Sequence, residues 1–83
     1  MRILVVEDEA DLAQAVVDHL RAAAHAVDHA STLDAAQAAV RAMPYALILL
    51  DLRLPDGDGL ALLRDLPNYR GSMPTKVVEY LAH

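Results

Sequence analysis

Three carboxylates stand where two apolar runs of the chain end. Ile3-Leu4-Val5-Val6 is followed at once by Glu7-Asp8, and Ala46-Leu47-Ile48-Leu49-Leu50 by Asp51. Unbroken apolar runs of this length read as short strands buried on both faces, the second bounded by Pro44 and by Pro55-Asp56-Gly57. Such a strand has no use for an acid except at its end, where the chain leaves the sheet. Glu7, Asp8 and Asp51 brought together would repel one another, and the repulsion is relieved by bound protons or by a cation. Hard oxygen donors with no histidine or cysteine beside them suit a hard cation. A few carboxylates that leave positions open for water and phosphate oxygens suit Mg²⁺ in particular. With a divalent ion in place, an aspartate can attack a phosphoryl group to give an aspartyl phosphate. Asp51, alone at the end of its run, is the better nucleophile, and Glu7 and Asp8 are the better metal anchors.

Each acid also has a plainer reading. Glu7 and Asp8 serve as a helix cap and its neighbour, and Asp51 as an acid that ends a strand before a turn. Their joint occurrence at two strand ends weighs against that reading. Asp56-Gly57-Asp58-Gly59 resembles part of a calcium loop but lacks the rest of the ligand pattern, so Asp56 and Asp58 are expected as turn and cap residues. His19, His25, His29 and His83 have no acid partner at ligand spacing, and surface or packing roles are expected for them, as packing roles are for Tyr45 and Tyr69.

The elements that position these groups follow from local pattern. Arg2 to Val6 is the first strand. Asp8, with Asp11 three residues on, is placed to cap a helix running to about Ala23, whose Leu12, Val16 and Leu20 repeat every four residues with Ala13 and Val17 widening the stripe. Ala26 to Ala30, short and polar, is expected as a strand at the sheet edge. Ser31 is expected to cap a helix from about Leu33 to Met43, closed by Pro44. The third strand follows, then a loop from Leu52 to Gly57, then a third helix from Asp58 or Gly59 to Leu66, stopped by Pro67. Parallel strands joined by right-handed helical crossovers bury such runs best, which makes this an α/β protein with a doubly wound parallel sheet. Ligands bind such sheets beyond the carboxyl ends of the strands, where the strand order reverses. If the second and third strands flank the first, that reversal falls between the two strands that end in acid.

Composition narrows the function classes. At 83 residues the chain makes one small domain. It has no cysteine, which excludes disulfides and thiolate metal sites. Its net charge of −5, with no basic patch, argues against direct nucleic-acid contact by this segment. No stretch is long and apolar enough to span a bilayer, so no membrane role and a cytoplasmic location are expected.

The two acid-ending runs, Ile3-Leu4-Val5-Val6-Glu7-Asp8-Glu9 and Leu47-Ile48-Leu49-Leu50-Asp51-Leu52-Arg53-Leu54-Pro55-Asp56-Gly57-Asp58-Gly59-Leu60, closely resemble the receiver domain of two-component response regulators, in the flavour of regulators with a winged-helix DNA-binding domain after the receiver. The resemblance covers residues 1–66. It implies a three-layer, flavodoxin-like sheet of order 2-1-3-4-5 and a signalling phosphoacceptor rather than an enzyme, loaded by a sensor histidine kinase or by small phosphodonors. Carried over by position, Asp51 is the phosphoacceptor, Glu7, Asp8 and Asp51 surround Mg²⁺, and the backbone carbonyl of Arg53 supplies a further ligand. Pro55 and Gly59 match the family's loop after the acceptor strand.

Two of the three departures from the family pattern lie late in the chain. No Lys-Pro is present to match the family's fifth-strand lysine, and counting a fourth strand from Pro74 puts Glu79 where the family has a hydroxyl residue. Ala24 stands where the family commonly has a glycine that ends the first helix. The receiver is therefore expected to be incomplete, with strands 2-1-3 and a possible fourth. Residues 67–83 form an atypical tail, either strand or foreign segment, in which Gly71-Ser72-Met73 looks like a cloning scar. A third strand left as an apolar edge would be covered by the tail of its own chain, or would favour a homo-oligomer through that edge or through exchange of the tail. Two other functions compete. One is a truncated association module that keeps the acidic pocket without phosphosignalling. The other is a phosphatase or phosphotransferase with an aspartate nucleophile, of the haloacid-dehalogenase type; it needs a second aspartate two residues after the first, where this chain has Arg53.

Overall fold

The computed structural model describes residues 1–66 and 76–80. Five strands and helices follow in the expected order: β1 (Arg2–Val6), α1 (Ala10–Ala22), β2 (Ala26–Ala30), α2 (Leu33–Ala42) and β3 (Leu47–Asp51). Then come a two-rung hairpin, β4 (Arg53–Leu54) and β5 (Gly57–Asp58), a 3₁₀ helix (Gly59–Asp65) and β6 (Lys76–Tyr80). The main sheet has the order β2-β1-β3-β6 with every pairing parallel. The doubly wound α/β fold is therefore present, and the ambiguous tail supplies a fourth strand at residues 76–80. Expectations about Pro67, Tyr69, the stretch 68–74 with its Gly71-Ser72-Met73, and His83 lie outside the described residues.

Burial follows from the alternation of side chains across a strand whose two faces are both covered. On one face, Leu4 and Val6 of β1 and Ile48 and Leu50 of β3 join Ala36 and Val40 of α2 and Leu62 of the 3₁₀ helix. On the other, Ile3 and Val5 meet Val17 of α1 and Val27 of β2. Leu47 and Leu49 of β3 are only partly buried on that second face.

Several local expectations are corrected. The cap of α1 is Glu9, not Asp8: its carboxylate accepts from the amides of Asp11 (3.3 Å) and Leu12 (2.7 Å). Asp8 does not supply this cap, and one of its carboxylate oxygens lies instead beside those of Glu7 and Asp51. The buried centre of the α1 stripe is Ala13 and Val17, with Val16 and Leu20 at its margin. The cap of α2 is Thr32 rather than Ser31, its hydroxyl accepting from the Ala35 amide at 3.1 Å. The third helix is wound as a 3₁₀ helix, whose three residues per turn bring Gly59 and Leu62 onto one buried face. Asp58 caps it at the Leu60 amide, 3.0 Å away.

The third strand is not an exposed edge. β6 of the same chain pairs with it from Leu47↔Lys76 to Asp51↔Tyr80, so the edges of the sheet are β2 and β6. The parallel ladder satisfies the otherwise open backbone groups of β3, and Val77 packs against the core beneath it, while Val78 stays exposed.

Candidate functional site

β1 and β3 are neighbours in the sheet, in register from Ile3↔Leu47 to Val6↔Leu50, and both end at the same edge of the fold. Register alone therefore sets Glu7 and Asp8 beside Asp51. Ligand oxygens from Glu7, Asp8 and Asp51 all lie within 4.8 Å of one another. Glu7 and Asp51 are fully buried at 0% exposure, while Asp8 faces solvent. Three carboxylates this close, two of them out of water, make a niche that favours positive charge.

Each acid is anchored by its surroundings. Glu7 continues the β1–β2 ladder through its amide, which donates to the Ala30 carbonyl at 3.0 Å. Its Oε2 accepts from the Glu9 amide at 2.9 Å, and its carbonyl lies 2.8 Å from Nε2 of His29. A carbonyl can only accept, so that ring nitrogen carries the proton. Asp51 Oδ1 accepts from the Arg53 amide at 2.9 Å. Asp51 Oδ2 is buried with no hydrogen-bond partner among the described residues. An orphaned buried carboxylate oxygen is costly unless something else meets it. Its place beside two other carboxylates fits a small, hard, oxygen-seeking cation such as Mg²⁺.

The loop beyond Asp51 is set by Gly59. A Cβ there would stand 2.5 Å from the Asp51 carbonyl oxygen and 3.1 Å from both Leu50 Cδ1 and Leu52 Cα, so only glycine lets the 3₁₀ helix seat this close to the end of β3. The Gly59 amide then donates to the Leu52 carbonyl at 3.1 Å and closes the loop.

The three acids expected to form the pocket, Glu7, Asp8 and Asp51, are thus brought together, and Arg53 has its main chain against the Asp51 carboxylate. Sequence reasoning missed two supporting residues: Glu9 replaced Asp8 as the cap, and His29 holds the Glu7 carbonyl from the edge strand. Asp56 is the expected turn and cap residue, but the helix it caps, α2, is remote in sequence (Leu33 amide 2.7 Å, Asp34 amide 3.0 Å). Only Glu9 carried a local signal, as an acid beside a helix start.

Comparison with known proteins agrees with this geometry. The model of the response regulator receiver domain matches residues 3–80. Among curated relatives, the transcriptional regulatory protein BaeR of Escherichia coli O6:H1 is 48% identical over 68 residues, 82% of this chain and 28% of BaeR. The probable transcriptional regulatory protein y4xI of Sinorhizobium fredii is 41% identical over 81 residues, 98% of this chain and 35% of that protein. The chain spans roughly a third of the length of such relatives. Among solved structures, a CheY-like receiver domain protein from Methanospirillum hungatei JF-1 superposes with a TM-score of 0.86 at 26% identity, covering 99% of this chain and 64% of that one. The response regulator MaeR, solved bound to beryllium trifluoride, gives a TM-score of 0.81 at 26% identity over 100% of this chain and 68% of its own. A parallel 2-1-3 core that ends in three converging acids, matched over nearly its whole length, places this chain in the response regulator receiver domain family.

Proposed function

We propose that this chain is a phosphoacceptor module that takes a phosphoryl group onto Asp51 from a sensor histidine kinase, with Mg²⁺ held by Glu7, Asp8, Asp51 and the Arg53 carbonyl. The observation that supports it best is the convergence of three carboxylates around Asp51 Oδ2, buried and without a hydrogen-bond partner among the described residues. Bound Mg²⁺ supplies neutralisation of the charge on the transferring phosphoryl oxygens. Arg53 N–H holds one carboxylate oxygen of Asp51 and so fixes the plane of the group. A carboxylate oxygen attacks phosphorus, a P–O bond forms, and the P–N bond of the phosphoimidazole breaks with its electron pair going to the departing ring. In this reading the chain is a signalling partner and not a turnover enzyme, its place is the cytoplasm, and homo-oligomers arise by exchange of β6 between copies.

The test is Mg²⁺ titration and acetyl phosphate or beryllofluoride loading of the wild type, Asp8→Ala and Asp51→Ala. Mg²⁺ binding is expected to be lost in both variants, and the adduct, located by mass spectrometry, to form only where Asp51 is present. An adduct that persists in Asp51→Ala refutes the assignment.

A further inference from the structure

The loop that carries Arg53 is tied down at a place remote in sequence. Asp56 sits with Pro55 at the turn of the β4–β5 hairpin. Its two carboxylate oxygens accept from consecutive amides in the first turn of α2, Leu33 to Oδ1 at 2.7 Å and Asp34 to Oδ2 at 3.0 Å. These amides are orphan donors of a helix start, where a carboxylate is favoured. The hydrogen bonds from the Asp34 and Leu33 amides hold the Asp56 carboxyl below the usual carboxylate range. α2 also has its own cap in Thr32, which serves a different amide. Asp56 therefore adds a link between two elements and not only a start signal for a helix.

The link leads to Asp51. Within the hairpin Arg53 pairs with Asp58 and Leu54 with Gly57, and Leu54 is buried in the core. The Arg53 amide in turn donates to Asp51 Oδ1. From the α2 N-terminus to the carboxylate the path is short: the Asp56 side chain, one hairpin strand, one amide. The hairpin has only two rungs, too few to hold a conformation alone in water.

We propose that Asp56 is a positioning residue for the acidic pocket, clamping the β4–β5 hairpin to the start of α2 so that the Arg53 main chain keeps its place against Asp51. This rests on the reading of Asp51 as a metal ligand and phosphoacceptor. Outer partners of metal ligands tune affinity by about 10- to 100-fold, and Asp56 acts one step further out, so an effect of about three- to tenfold is expected.

The experiment uses the whole chain and two readouts, Mg²⁺ affinity by calorimetry and hydrogen exchange at the Arg53 amide by NMR. Asp56→Ala is expected to weaken Mg²⁺ binding about three- to tenfold and to speed exchange at Arg53 by a similar factor. Asp56→Asn, which keeps one carbonyl acceptor, falls between the two and carries the comparison should Asp56→Ala not fold. Thr32→Ala removes the other cap of the same helix, lowers stability, and leaves both readouts at wild-type values. The clamp is overturned if Thr32→Ala changes the readouts as much as the Asp56 variants do. It is equally overturned if the Asp56 variants change nothing while Mg²⁺ still depends on Asp51. Wild-type affinity retained in Asp51→Ala would instead bring down the pocket reading, and the clamp with it.

Discussion

Ala24 is the one described non-glycine residue with positive φ, at 69°. Two hydrogen bonds force it there. The Ala24 amide donates to the Arg21 carbonyl at 2.9 Å and the His25 amide to the Leu20 carbonyl at 3.2 Å, the paired bonds of a Schellman ending to α1. An L-residue in this left-handed conformation costs about 1–2 kcal/mol, a cost glycine does not carry. Glycine in turn loses about 0.4–1 kcal/mol through the freer unfolded chain. Ala24 is exposed, so its methyl group adds no burial to the balance. Ala24→Gly should therefore stabilise the protein by about 0.5–1 kcal/mol, a rise in Tm of roughly 2–8 °C for a domain of this size. Urea unfolding followed by circular dichroism measures it. Ala23→Gly is the control: Ala23 has φ −88° and ψ 14°, so there glycine gains nothing and should destabilise by about 0.5–1 kcal/mol. Equal effects at the two positions, or a loss at Ala24, would refute the left-handed ending.

At the other end of the sheet from the acids, the Tyr45 hydroxyl donates to Asp28 Oδ2 at 2.7 Å, and Arg2 Nη1 reaches the same oxygen at 3.1 Å. Burial first, and the Asp28 carboxylate second, push the Tyr45 phenol up to about 12 from its ordinary 10.0. A raised folded-state value means that the contribution is whole below pH 10 and is lost as pH climbs towards 12. Tyr45→Phe should cost about 2 kcal/mol at pH 7, and the wild type's advantage should vanish over that alkaline window in a pH series of unfolding curves. The same bond, with Arg2 adding to it, lowers the Asp28 carboxyl, so acid below the ordinary carboxylate range erodes it too. For self-association, exchange of β6 predicts a dimer in light scattering at high concentration, and a chain that stays monomeric there has no exchanged strand.

Much of this architecture was legible because its signals are local and one-dimensional. The runs 3–6 and 47–50 have no polar residue to place in water, which marks inner strands with acid ends; β1 is buried on both faces, β3 fully on one and partly on the other. Ala26–Ala30 announced an edge by carrying Asp28 and His29. What escaped depends on contacts that sequence spacing does not encode. Asp8 looked like the cap because Asp11 stands three residues on, yet it lies beside Glu7 and Asp51 while Glu9 reaches forward to the Asp11 and Leu12 amides. Asp56 and α2 meet across 22 and 23 residues of chain, and His29 and the Glu7 carbonyl across 22, so neither pairing has a local signature. The close seat of Gly59 against the Asp51 carbonyl is a tertiary constraint of the same kind. The role of the tail was ambiguous for the same reason, since Val77-Val78 suits either winding until β3 offers a partner.

β1 is one of the two inner strands of the sheet, flanked by β2 and β3, which follow it in the chain. Glu7 and Asp8 therefore have no companion until the chain has detoured through two crossovers and returned as β3. On the proposed reading, divalent-ion binding would require the finished topology, since the three acids converge only once β3 lies beside β1. Ligand present at a hundred times its dissociation constant would deepen the native well by about 2.7 kcal/mol. On the proposed reading, magnesium at such a concentration would help keep so small a domain folded.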